Sequence, residues 1–225
     1  MTRSLLALLQ LVSPTLPVGA YTYSEGLETL VQTSQITTAA QLEVWLRQEL
    51  TYGAIRVEVG ILDRAYGAAI EKDEIQLAQW NQWLSAFRET EEIREQSWQM
   101  GRSLLRLLQA LQPESRWFWA EHFTDQRADQ PVNFAIAFAV AAAGWQIDRS
   151  DMRLGYLQSW VANLINAGVR LVPLGQTQGQ QILLNLQPTL EQASQAESLV
   201  LECCSWGVSI ASMNHETLYS RLFRS

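Results

Sequence analysis

The chain has 225 residues, 48% hydrophobic and 17% charged, enough for one large domain with a substantial core. A formal net charge of −7 argues against a nucleic-acid face, and Lys72, the one lysine among 16 basic residues, leaves no P-loop to cradle a nucleotide. Two adjacent cysteines give no disulfide framework, no convincing signal-peptide cleavage site follows the first apolar run, and no run reaches the roughly 20 residues that span a bilayer. The expectation is a cytoplasmic protein with no nucleic-acid or membrane partner.

Leu5, Leu8, Leu9 and Val12 recur at helical steps, which predicts a short amphipathic helix over 3–12. Ser13 to Glu28 then departs from everything after it. Pro14 and Pro17 end the helix, Gly19 permits unusual backbone angles, and a second helix is expected to start near Tyr23 or Ser24. Thr37 or Thr38 can cap the next helix, and the stripe Leu42, Leu46, Leu50, Val57, Ile61 and Ala65 predicts a single helix over 39–70. Asp73 can cap a helix carrying Leu77, Trp80, Leu84 and Phe87. Arg88 is expected to pair with Glu91 and Glu92 on the next helical surface, and Ile93 to Leu111 continue the pattern to Pro113.

Pro113 opens a predicted aromatic helix with Trp117, Phe118, Trp119 and Phe123. The segment 132–143 is apolar on all sides, so it should be the central buried helix, ended by Gly144. Asp148 or Asp151 begins a helix broken by Pro173 and Gly175. Thr177 can cap a further helix through Leu186, and Pro188 suits the first turn of a last one, 188–206. The tail 207–225 has no clean period. No run alternates long enough for a strand, so the fold class is all-α: a single domain, 1–225, of about ten helices with free-looking ends.

Catalytic constellations are missing. His122 and His215 lie in no metal-ligand spacing, and no nucleophile elbow is present. A Cys203 or Cys204 nucleophile with His215 gives the competing class, a helical cysteine-dependent hydrolase, although buried thiols filling core space are the simpler account. Three polar–apolar stretches suit recognition instead. They are the loop with Tyr21, Tyr23, Glu25 and Glu28, the turn from Arg170 through Gln176 to Gln180, and the tail with Met213, His215, Tyr219, Arg221, Phe223 and Arg224.

Pro17-Val18-Gly19 with Tyr23-Ser24-x-Gly26-Leu27-Glu28, then Arg170-Leu171-Val172-Pro173-Leu174-Gly175-Gln176-Thr177-x-Gly179-Gln180, then Ser212-Met213-x-His215-Glu216 with Tyr219-Ser220-Arg221-Leu222-Phe223, resemble in order and spacing the signatures of the urease accessory protein UreF family. Tyr21 and Tyr23 stand where that family often has Phe and His. The resemblance implies a homodimeric, non-enzymatic chaperone for nickel insertion, with no cofactor of its own. It would bridge UreD/UreH, which docks on apo-urease, and the GTPase UreG, assisting or gating GTP-dependent assembly of the dinickel centre. By matching position, the tail from Met213 to Arg224 would order on UreD/UreH. Arg170, Gln176 and Gln180 would arrange that contact or the dimer, and Tyr23, Glu25 and Glu28 would lie near the dimer and GTPase-facing surface. Nickel could pass transiently near Glu25 and Glu28, read as two carboxylates on one helix face.

Overall fold

The computed structural model describes residues 2–112, 131–195 and 201–225. Among them are ten α-helices, one 3-10 turn at Ala20–Thr22 and no strand. The helices are α1 (Thr2–Leu11), α2 (Leu27–Gln32), α3 (Ala39–Tyr52), α4 (Ala54–Glu71), α5 (Glu74–Phe87), α6 (Glu91–Leu111), α7 (Phe134–Gly144), α8 (Arg149–Leu171), α9 (Gln176–Ser194) and α10 (Trp206–His215).

Helix α7 is the hub, as its uniform apolarity predicts. Ala135 through Ala142 are all buried, and α1, α4, α5, α6 and α8 pack against it. Its entry is fixed by polar bonds: the Asn133 N–H donates to Asn81 Oδ1 (2.8 Å), the Asn133 amide donates to Ser85 Oγ (2.7 Å), and the Phe134 N–H donates to Ser97 Oγ (3.2 Å). Its exit differs from expectation. Gly144 stays helical, and the left-handed residue is Gln146 (φ 56°), whose N–H reaches the Ala143 carbonyl while that of Ile147 reaches Ala142. This is a Schellman closure two residues later than the glycine.

Other boundaries move for local reasons. The predicted 39–70 helix is two helices, because Gly53 is extended (φ −79°, ψ 175°) and the Ala54 N–H donates to Ser205 Oγ at 2.6 Å. Residues 176–194 are one helix with Pro188 inside it, and its N-cap is Gly175, not Thr177. Asp73 and Thr38 cap as expected, accepting from the N–H groups of Gln76 and Gln41. Asp63 on α4 accepts from both Arg149 and Arg153 of α8 at 2.7 Å, and Arg153 also donates to the Ser194 carbonyl at the end of α9. The aromatic helix expected around Trp117 to Phe123, with His122, lies outside the described residues.

Candidate functional site

The C-terminal end is not free. Helix α2 begins at Leu27, later than expected, because Glu25 (φ 52°) and Gly26 (φ 81°) both take left-handed angles. That double reversal sends the carboxylates of Glu25 and Glu28 to different places, so they do not share a helix face. A Cβ on Gly26 would lie 3.1 Å from that of Ala211 and 3.2 Å from the Ser212 nitrogen, so the glycine also lets α10 pack closely on α2.

Glu28 is buried and organises the tail. Its carboxylate accepts from the backbone N–H groups of Leu222 (2.7 Å) and Phe223 (2.9 Å), and one oxygen lies 3.2 Å from His215 Nε2. The other nitrogen of His215 is 2.8 Å from Glu92, which also accepts from Arg221 at 2.9 Å. The last two residues pair with the loop. The Arg224 N–H donates to the Thr22 carbonyl (2.8 Å), and the Ser24 N–H donates to the Ser225 carbonyl (2.8 Å). The Ser225 hydroxyl bonds Gln96 at 2.6 Å. Arg170, in the last turn of α8, stacks its guanidinium 4.7 Å from the centre of the Phe223 ring and donates to the Tyr21 carbonyl at 3.4 Å. The two backbone bonds to the buried Glu28 carboxylate contribute about 1.5–3 kcal/mol each.

The result is one composite of loop, α2, the end of α8, α10 and tail. Its outer side carries Trp206, Ile210 and Met213 at steps of four and three along α10, exposed by 70%, 57% and 51%, with Tyr219 and Leu222 beyond them. Large apolar side chains displayed together mark interaction surfaces. The two carboxylates, by contrast, face inward. Glu25 accepts from Gln96 (2.8 Å) and from the Trp160 indole N–H (2.9 Å), and burial, then the Glu58 carboxylate, push its carboxyl above the usual range.

Beside Glu25 lies a charged cluster that the sequence conceals. Arg88 does not pair with Glu91 or Glu92. It ends α5 buried in the interior, where it donates to Glu58 at 2.5 Å; Tyr156 donates to the same Glu58 oxygen at 2.6 Å. Two cavities share Glu25, Glu58, Arg88, Ile93 and Trp160 as a common wall. The smaller, about 40 Å³, is also lined by Glu49, Glu89 and Cys203. Burial, then Glu25, push the Glu49 carboxyl up to about 7. The larger, about 300 Å³, lies under the 13–21 loop against α6 and α8.

Several expected site residues therefore sit differently. Tyr23 is buried, and Tyr21 is the exposed ring of the loop at 68%. Gln176 and Gln180 are exposed in the first turns of α9; Gln180 edges the larger cavity, and neither bonds to the tail among the described residues. Met213 and Tyr219 face outward, while His215 and Phe223 are sealed inside. Cys203 and Cys204 are exposed free thiols, not core residues, because the segment before α10 runs along the surface with the Cys204 N–H bonded to the Tyr52 carbonyl. Both nitrogens of His215 face carboxylates, so it is not hydrogen-bonded to a thiol as a cysteine hydrolase would need.

The family model UreF matches residues 36–187, most of the chain. The chain belongs to the UreF family. It is 54% identical to the urease accessory protein UreF of Nostoc sp. over 224 residues, covering 98% of this chain and 95% of the relative. It is 53% identical to that of Microcystis aeruginosa over 227 residues, covering 99% and 98%. The UreF of Alkalilimnicola ehrlichii is 39% identical over 220 residues, covering 96% and 93%. The loop and the tail lie outside the segment matched by the family model. No helix among the described residues is long and apolar enough to cross a membrane.

Proposed function

We propose that this UreF-family chain works in the cytoplasm as a non-enzymatic chaperone for urease maturation. It acts as a homodimer that bridges UreD/UreH on apo-urease to the GTPase UreG and assists or gates GTP-dependent nickel insertion. The observation that carries the UreD/UreH contact is the knitting of residues 213–225 onto the loop through Glu28, which turns α10 and Tyr219 outward as one apolar ridge. The region 207–225 is the partner-binding element in this account. Residues Met213, Tyr219 and Arg221 meet the partner directly, while Glu28, Arg170, His215, Phe223 and Arg224 hold the surface in shape. Gln176 and Gln180, exposed in the first turns of α9, are assigned to the dimer.

Passing Ni²⁺ is assigned to Glu25 and the small acidic cavity it shares with Glu49 and Glu58. Glu28 is excluded from that role because its oxygens are taken up by the tail. Alanine at Glu25 should then lower the nickel content of urease in a reconstituted activation assay, and unchanged nickel content would remove Glu25 from the route.

Co-purification with UreD/UreH and UreG tests the docking itself. Deleting residues 213–225 should abolish capture of UreD/UreH. Since the deletion also uncovers Glu28, Met213→Glu on the exposed ridge is the companion variant. Full capture by both would overturn the assignment.

A further inference from the structure

One side chain joins the tail to Glu25. Gln96 of α6 is 7% exposed, and both ends of its amide are bonded. Its Oε1 accepts from the Ser225 hydroxyl at 2.6 Å, and its Nε2 donates to Glu25 Oε1 at 2.8 Å. Ser225 is buried, and its carbonyl accepts from both the N–H (2.8 Å) and the hydroxyl (2.5 Å) of Ser24. The same tail residue therefore grips the chain neighbour of Glu25 and, through Gln96, the Glu25 carboxylate.

The Glu25 backbone is left-handed (φ 52°), and its side chain is half-buried where the two cavities share a wall. Gln96 holds one carboxylate oxygen, and the Trp160 indole N–H holds the other at 2.9 Å. A carboxylate offers about four acceptor sites, so these two bonds fix its orientation and leave sites open to a cation. A side chain already fixed loses less freedom when an ion arrives. The indole is rigid and only donates, whereas the terminal amide of a glutamine turns readily about its last bond. The orientation of the Gln96 amide is set at its far end, by the Ser225 hydroxyl. When the tail lifts, the Gln96 carbonyl loses that buried donor, and the amide is no longer held to present its NH2 group to Glu25.

We propose that Gln96 is a positioning residue through which the seated tail holds the Glu25 carboxylate in place for passing Ni²⁺. This rests on the assignment of Ni²⁺ passage to Glu25 and adds the regulation of that site. Whatever seats or lifts residues 213–225 also fixes or frees the carboxylate, so a partner that grips the tail acts on the nickel route without touching it.

The Trp160 indole reports on the Glu25 carboxylate independently of nickel. Its N–H signal in the NMR spectrum of the full chain is identified by its loss in Trp160→Phe. Ser225→Ala keeps the backbone bonds to Ser24 and should shift that signal, although Gln96 and Glu25 stand between Ser225 and the indole. Gln96→Leu should shift it as well, and the double variant should match Gln96→Leu alone, because the link is already cut. In the reconstituted activation assay both single variants should lower the nickel content of urease. The two possible failures are distinguishable. Unchanged nickel content in Glu25→Ala overturns the nickel role, whatever the indole signal does. An unmoved indole signal in Ser225→Ala, or shifts that add in the double variant, overturns the coupling through Gln96 even where nickel content falls.

Discussion

Helix α7 and the loop–tail composite are held in opposite ways. Among the eleven residues of α7, the inner eight are apolar and inaccessible, so its position follows from area removed from water. The tail has almost no such area. Phe223 and Ala211 are its buried apolar anchors, and its place is set by directional bonds to a few side chains, chiefly Glu28, Ser24, Glu92 and Gln96. Non-directional burial gives a rigid hub that fails only with the whole fold. A surface held by a few bonds can be released locally while the core stays intact.

The largest effect is expected in the hub. Phe138→Ala removes a ring that packs edge-on against Tyr156 at 5.0 Å between centroids and should cost about 3–5 kcal/mol in urea unfolding. Loss of less than about 1 kcal/mol would mean that α7 is not the hub. Glu28→Gln should act elsewhere. It removes charge-assisted acceptors from the Leu222 and Phe223 amides, so their protection from hydrogen exchange should fall by about tenfold or more, from bonds of about 1.5–3 kcal/mol. The α7 amides should keep theirs; equal loss in both regions would erase the contrast.

Gly26→Ala comes next, at about 1–2 kcal/mol, because a left-handed angle must be held by an L side chain that also presses on Ala211 and Ser212. Its effect should be concentrated in α10 and the tail. A pH effect completes the contrast. The Glu49 carboxyl is raised from 4.5 to about 7 on folding, so the folded state holds the proton more tightly. Its contribution is present below about 4.5 and is lost as pH rises toward 7. Glu49→Gln should flatten the pH dependence of the urea midpoint over that window, and an unchanged slope would show that the group does not titrate with folding.

Sequence reading found α7 at once because its signal is composition, and composition survives without a structure. It missed the break at Gly53 because the apolar stripe continues across it, and the hydroxyl that fixes the restart, Ser205, is far away in the chain. It missed the burial of Arg88 for the same reason: a charged run looks solvated until Glu58 and Tyr156 arrive from two other helices. The oddity of the 13–28 loop and of the tail was visible in each separately. That they are halves of one surface was not, since no periodicity links residues about 190 positions apart. Of the two adjacent left-handed residues, Gly26 announces a reversal in the sequence and Glu25 does not.

The loop acts through the tail in the proposed docking. Affinity for UreD/UreH should therefore be measured for Glu28→Ala, in which every exposed residue of 213–225 is unchanged. The expected result is a fall of about tenfold or more, alongside lost protection of the Leu222 and Phe223 amides. Wild-type affinity with those amides demonstrably released would contradict it.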